Sequence, residues 1–370
     1  MSTRTGYSLT VDGSPLPAVV LGQLERVECE EHLRLADVLR LHFSAAQKAG
    51  ARGWEIIDDG LFGRLARIRL DVTVGSGSQP LFEGYVVEAI AGFSSDPDKT
   101  TYTVVAFDTS VLLHLQARTR AWPDMSDGDV ADAVFADYGL ASIVESTQPT
   151  RADTDQTLLQ SETDMQLLRR LARRNGYECY VDLNQSGVPT GHFHPAELDA
   201  EPQGIISVGL GAQSNTEKLS VSHDMLRPVS AAAHNVDHGS LEVQEASAIA
   251  VAAPLLGGES VLTTNRPRTH LVRGTALAAV PELQSYAQAV TDRSALAIRA
   301  EGEVRSATYG GVIRARKPLL VRGAGGSLSG TFLVERVFHA FAGTDYTQSF
   351  TLVRNATGLA GEDFTGMAGG

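Results

Sequence analysis

The stretch Lys317–Asn355, KPLLVRGAGGSLSGTFLVERVFHAFAGTDYTQSFTLVRN, decides the fold. Leu319 and Val321, then Phe332, Val334 and Val337, set apolar residues mostly at period two, the spacing of strands with one buried face. The Gly–Ser run Gly323–Gly330 supplies the turn between the first two strands, and Ala342-Gly343-Thr344-Asp345 the next. From Tyr346 to Val353, Tyr346, Gln348, Phe350 and Leu352 alternate with Thr347, Ser349, Thr351 and Val353. The stretch predicts a three-stranded antiparallel meander.

The plan occurs twice. Residues 66–108, ARIRLDVTVGSGSQPLFEGYVVEAIAGFSSDPDKTTYTVVAFD, give a strand, a Gly–Ser turn, and a strand opening on Gly84 with Glu88 in its middle. A polar loop and a Tyr-led strand closing on Asp108 follow. Glu88 and Asp108 each stand 247 residues before Glu335 and Asn355, while Gly84 and Gly330 are one residue out of step. That period is far too long for a solenoid, so it predicts two related β units in one chain.

A chain of 370 residues, 43% apolar and 20% charged, has room for about two to three domains with a substantial core. Its net charge of −13 argues against a primary role on nucleic acid or an anionic membrane. Cys29 and Cys179 cannot build a disulfide framework, which suits a reducing compartment. The N-terminus runs into strand-like sequence without an apolar export segment. The longest mostly apolar run, Ala246–Leu256, is too short for a bilayer, so synthesis in the bacterial cytoplasm is expected.

Strands are expected around Tyr7–Val11, Leu24–Glu30 and Val38–Ser44, with a break at Gly50–Gly53 before Trp54–Ile57. With the first meander they fill out an antiparallel sandwich or barrel. Val130, Ala131, Val134, Phe135 and Tyr138 predict a helix over Asp127–Tyr138. Ser161-Glu-Thr-Asp164 reads as a capping box opening a second helix, with Met165, Leu168, Leu171 and Ala172 buried and Asn175-Gly176 closing it. Strands at Tyr177–Leu183 and through Phe193 complete a small α/β domain. Ile205–Val208, Leu219–His223 and Ala231–Val236 read as β again. Ala246–Pro267 reads as loop, Pro281–Arg299 as helix, and Val304 onward as the rest of a discontinuous second β unit.

Chemistry-bearing patterns are thin. His192 and His194, with Cys179 near, lack the further ligands a zinc site needs and read as a surface strand. His234 and His238 have helical metal-ligand spacing on a β-like segment, which is too long for one site. Gly209-Leu-Gly211 lacks the third glycine of a dinucleotide loop, Gly323–Gly330 leads into no helix, and no nucleophile elbow occurs. Asp58-Asp59 and Glu30-Glu31 read as solvated acids and not as a glycosidase pair. Arg169, Arg170, Arg173 and Arg174 bracket the apolar stripe as a solvated face, the rival reading being a phosphate-contacting one. No catalytic, cofactor-binding or metal-binding residue is assigned, no cofactor is expected, and the chain reads as no enzyme.

The segment SETDMQLLRRLARRNGYECYV, Ser161–Val181, resembles the phage late control protein D family, the tail baseplate hub. That family is related to the hub portion of type VI secretion and extracellular contractile injection system spikes. Leu81-Phe-Glu-Gly84, Phe107-Asp108 with Leu112 and Leu115, and Ser329–Val334 with His339, Tyr346 and Arg354-Asn355 resemble it too, so the likeness spans about residues 5–357. It implies an α+β, mainly β chain with two related tube-like antiparallel β-barrel domains, 1–118 and 202–240 with 304–357. A small α/β domain (119–201), a loop and helix insertion (241–303) and a Gly-rich tail (358–370) complete it. It further implies a homotrimer with pseudo-sixfold barrels and an acidic lumen, joining a hexameric tail tube protein to a trimeric spike protein, with baseplate wedge proteins around it. No specific nucleic acid and no direct membrane insertion are implied. Relatives that carry their own needle continue past this point; here Ala356–Gly370 leaves no room for one, so the spike is expected to be encoded separately. The rivals are a tail-associated cell-wall hydrolase and a nucleic-acid-binding tail component.

Overall fold

The computed structural model describes residues 4–48, 53–148, 157–236, 241–262, 268–273 and 280–359. Gly50, His238, residues 263–267 of the expected loop and the tail beyond 359 lie outside the described residues.

Six strands open the chain: β1 (Thr5–Val11), β2 (Leu24–His32), β3 (Val38–Ser44), β4 (Arg67–Val74), β5 (Gly77–Gly92) and β6 (Thr101–Asp108). Alternate residues turn to one core, among them Val27, Leu39, Leu41, Phe43, Ile68, Leu70 and Val104. Trp54–Ile57 is not a strand. It is a turn, held by a single bridge from Gln47 to Trp54 and by the Trp54 N–H donating to Asp58.

The α/β unit follows: β7 (Ala117–Trp122), α1 (Asp127–Asp137), β8 (Ala141–Val144), β9 (Leu158–Thr163), α2 (Asp164–Asn175), β10 (Glu178–Leu183) and β11 (Pro189–His194). Ser126 and Asp129 form a complete capping box for α1. The box of α2 lies two residues later than the sequence suggested, on Thr163 and Gln166. Ser161 is held back in β9, opposite Thr119 of β7. Met165, Leu168, Leu171 and Ala172 are buried as expected, and Gly176 ends the helix at φ 74°.

Next come β12 (Ile205–Ser207) and β13 (Leu219–His223), then β14 (Val229–Val236), β15 (Val243–Ala248), β16 (Arg268–Arg273) and α3 (Val280–Ala295). The chain finishes with β17 (Ile298–Arg305), β18 (Pro318–Arg322), β19 (Gly330–Ala342) and β20 (Asp345–Arg354). Two corrections arise here. Ala231–Val236, expected in the second β unit, belongs to β14, which pairs with β15 and β16 in a sheet of its own. Its alanines, Ala231 and Ala233 with Ala246 and Ala248 of β15, let Leu283 and Ala287 of α3 pack on that sheet. The expected loop from Ala246 therefore begins as strand. The helix also stops at Ala295, and Ile298, Ala300 and Val304 already alternate into the second core, so the second unit resumes at 298.

Both β units share one strand order. In the first, the hydrogen-bonded order is β1-β4-β5-β6-β3-β2; in the second it is β12-β18-β19-β20-β17-β13. Numbered along each unit, both read 1-4-5-6-3-2, with the α3-bearing sheet inserted between strands 2 and 3 of the later copy. One pair differs: β1 is antiparallel to β4, whereas β12 is parallel to β18. The units fuse because the C-terminal half of β19 pairs with β2, giving a single thirteen-stranded sheet once the two-residue strand Ser14–Pro15, paired with β1, is counted.

The repeat is not in the register the sequence suggested. Strand 5 of each unit carries one bulged residue, Val87 between the paired Val86 and Glu88, and Glu335 between Val334 and Arg336. Val86 pairs with Ala106 as Val334 pairs with Leu352, all four facing a core. The true offset is thus 248 residues in strand 5 and 246 in strand 6. An offset of 247 in both preserves the sum but turns each side chain to the wrong face, as any one-residue slip does. Gly84 and Gly330 are accordingly not equivalents. Gly84 sits mid-strand, where a Cβ would strike the Phe107 carbonyl, and Gly330 takes φ 128° at the start of β19.

Candidate assembly surface

Eight of these strands run consecutively and antiparallel: β13-β17-β20-β19-β2-β3-β6-β5. Each β unit supplies four. Period two gives this run one face toward the two cores and one away from them. The away face carries Ser220, Glu301, Glu303, Thr347, Ser349, Arg336, Glu28, Glu30, Arg40, His42 and Thr103. Several of its charges are paired, while Glu303 accepts from the Ser349 hydroxyl at 2.8 Å. Arg336 lies 2.6 Å from Glu30, Arg26 2.9 Å from Glu28, His42 3.2 Å from Glu28, and Arg299 3.0 Å from Glu335. The face is a polar surface of mixed charge.

Both ends of the run are unpaired among the described strands. At one end β13 bonds only to β17; at the other, residues 88–92 of β5 bond only to β6, because β4 leaves β5 at Tyr85. The β5 margin is also apolar and exposed: Val87, Ile90 and, just past the strand, Phe93 are 40%, 49% and 64% exposed, with the Phe93 ring 5.7 Å from that of Trp54. An exposed apolar strand edge invites pairing with another chain unless something covers it.

Beneath the fused sheet runs a buried polar seam. Arg314 is 2.6 Å from Glu31 and donates to the carbonyls of Pro80 and Leu81, and the Ala315 N–H donates to Glu31. Arg316 donates twice to Asp37, at 2.6 and 3.0 Å, and lies 4.4 Å over the ring of Tyr180. The Asp37 N–H donates to Asp108 at 2.5 Å. Tyr180 stacks on His192, which is 2.9 Å from Asp182. Two β units and the α/β unit are thereby locked together by groups that burial would leave costly if unpaired. Burial and the neighbouring Asp37 carboxylate push Asp108 up to about 7, and burial pushes Asp37 up to about 6 against the pull of Arg316. Burial pushes His339 down to about 3, its Nδ1 2.8 Å from the Tyr346 hydroxyl.

The sequence matches the family description "Phage tail baseplate hub (GPD)" over residues 52–343, most of the chain. The chain belongs to the phage tail baseplate hub (GPD) family. Among curated proteins none matches. Solved structures share the fold over nearly the whole chain. The 43 kDa tail protein of prophage MuSo2 from Shewanella oneidensis is 15% identical with TM-score 0.66, covering 95% of this chain and 99% of that one. A tail protein from Neisseria meningitidis MC58 is 13% identical with TM-score 0.62, covering 95% and 97%. The E. coli c3393 protein, a component of the type VI secretion system, is 12% identical with TM-score 0.57, covering 94% and 76%.

The hub fold explains where the sequence candidates went. His192 and His194 are buried, not on a surface strand, with His192 Nδ1 3.2 Å from His194 Nε2. Cys179 pairs with Phe193 and faces the α/β core, so strand alternation puts it on the side opposite the histidines. Among the described residues no group of three or more His, Cys, Asp or Glu is placed to hold a metal. His234 lies 3.3 Å from Glu245. Glu31 is a buried seam residue and not a solvated acid. Arg174 is no solvated face either, since it is buried against Asp127 with its Nε donating at 2.6 Å. Among the described residues no helix is long and apolar enough to cross a membrane. The seam residues Asp37, Arg314 and Arg316 escaped the sequence reading. Their only sign was two arginines at alternate positions ahead of the apolar run that opens β18.

Proposed function

We propose that this chain is the structural hub of a contractile tail or injection-system baseplate, working as a homotrimer. Each protomer contributes two tube-like β units, approximately residues 4–118 and 205–223 with 298–357, so three chains present six similar units to a hexameric tail tube. The α/β unit and the α3-bearing sheet, present once per chain, keep threefold symmetry for a trimeric spike, with wedge proteins bound outside. The observation that carries this reading is the doubled strand order 1-4-5-6-3-2, which serves no purpose in a monomer but lets a threefold ring match a sixfold one. The first unit's sheet approaches closure through Tyr7 against Phe341, with ring centroids 5.2 Å apart, and the Thr5 hydroxyl donating to the Thr344 carbonyl. With charges of both signs interleaved and several of them paired, the polar face suits the wall of a passage, since it offers cargo of either sign little to hold. Native mass spectrometry of the purified chain tests the proposal. A species of three chains is expected; a monomer at every concentration would overturn it.

A further inference from the structure

We infer that the cleft between the end of α2 and α3 binds a small organic carboxylate, its anionic head on Arg293 and its apolar body against the leucines and alanines beside it. One protomer suffices to build the site, so it is separate from the trimeric reading.

The fold makes the cleft. Helix α2 ends at Gly176, whose φ of 74° turns the chain toward β10, and α3 packs against that corner. Gly176 has no Cβ to hold α3 off; one placed there would lie 3.2 Å from that of Ala289. Beside this contact lies a half-open cavity of about 510 Å³, a size typical of small-molecule sites. The buried Leu198 and Leu296, with Ala196, Ala253 and Pro254, supply its apolar wall.

The charge at the cleft is unbalanced. Arg293 stands in the last turn of α3, and its Nη2 donates to the Tyr177 carbonyl at 3.0 Å. Its Nε is buried and meets no acceptor among the described residues. Glu178, the carboxylate that acts on it most, is taken by Arg34, whose Nε and Nη2 reach one of its oxygens at 3.0 and 2.7 Å. Asp292 is engaged as well, accepting from the Ala252 N–H at 2.8 Å and the Gln288 amide at 3.0 Å. Burial, with Arg34 and Arg173 nearby, holds Arg293 below the ordinary arginine value. One guanidinium is therefore left over, in a chain whose net charge is −13. A buried guanidinium N–H without an acceptor is unfavourable, and a charge-assisted bond to an entering carboxylate is a strong way to satisfy it.

The wall decides the class of anion. Inorganic phosphate would engage the arginine but leave the leucines uncovered, and would set a second charge near Glu178. A single carboxylate matches a single uncompensated arginine, and an apolar body covers the wall. Two sources share this chemistry, a free aliphatic acid and the C-terminal residue of a peptide. Either would touch the α2–β10 corner on one side and α3 on the other, tying the α/β unit to the inserted sheet.

Calorimetric titration of the full chain tests the site. Octanoate should bind, and octanamide, which lacks the charge, should not. Arg293→Gln, which keeps a donor for the Tyr177 carbonyl, should weaken octanoate by about tenfold or more. Ala253→Phe, which fills the place of the apolar body, should do the same. The two variants act on opposite ends of the cleft, so if one fails to fold the other still reads it. N-acetyl-leucyl-leucine and its amide then separate the sources. Binding of the dipeptide acid tighter than octanoate assigns the site to a peptide terminus, and the reverse order assigns it to an aliphatic acid; either upholds the site. The proposal is overturned if neither carboxylate binds at millimolar concentration, or if the folded variants bind octanoate as the wild type does. Inorganic phosphate binding as tightly as octanoate would overturn it too.

Discussion

At the scale of single residues the seam carries the chemistry most open to measurement. Asp108 is a carboxyl with no cation against it, accepting N–H bonds from Asp37 and Ser110 while burial lifts it to about 7. Its folded value lies above its unfolded one, so the folded chain binds the proton more tightly. The stabilising effect is complete below about pH 4 and is lost as pH rises toward 7, by at most about 1.4 kcal/mol per pH unit. His339 acts in the opposite sense. Its depressed value costs stability as pH falls below the ordinary histidine range, so the wild-type profile alone is a mixture. Asp37, which burial raises to about 6, acts in the same sense as Asp108 and is present in both proteins, so the difference between wild type and Asp108→Asn removes most of the shared slope. Urea midpoints from pH 4 to 8 should show the variant gaining on the wild type as pH rises, whatever constant offset the lost acceptor adds. A pH-independent difference would mean Asp108 is ionised throughout.

At the scale of elements, α1 and α2 are fastened end to end, and the arginines of α2 divide by partner, not by position. Arg174 is buried and bonds Asp127 in the first turn of α1, with Asn175 donating to the same carboxylate at 2.6 Å. Arg173, one residue earlier, is exposed. Arg174→Glu should therefore cost about 3–5 kcal/mol by burying like charges together. Arg173→Glu should change stability by less than about 0.5 kcal/mol. Thermal melts of the two variants separate these outcomes, and equal effects would refute the pairing. Helix α2 also shows what sequence could reveal. Its apolar stripe and closing glycine were legible because both are local. Its start was misplaced because Ser161 is as good a cap as Thr163 until β7 claims it for a ladder. Ala231–Val236 was misassigned for the same kind of reason. An alanine-rich strand looks alike in any sheet, and only the partners β15 and β16 say which.

At the scale of the whole molecule, the doubling was legible and its register was not. Turn residues, glycines and a tyrosine gave the repeat away, yet the second unit runs two residues shorter from strand 5 to strand 6, with Val86 opposite Ala106 but Val334 opposite Leu352, and no side-chain pattern announces where those residues are lost. The pairing of β2 with β19, some 300 residues apart, left no local trace, so the seam around Arg314 and Arg316 was invisible too. What that pairing implies for the free margins is thermodynamic as well as structural. A ring whose margins are buried only on assembly must melt and dissociate together, so its apparent stability depends on protein concentration. The melting temperature of the wild type should rise steadily as concentration is raised over a hundredfold range. Phe93→Lys, which places a charge on the exposed apolar margin beside Trp54, should melt at one lower temperature throughout. If both proteins instead melt independently of concentration, the margins are left uncovered in solution, and the fused sheet of one chain is the whole of the assembly.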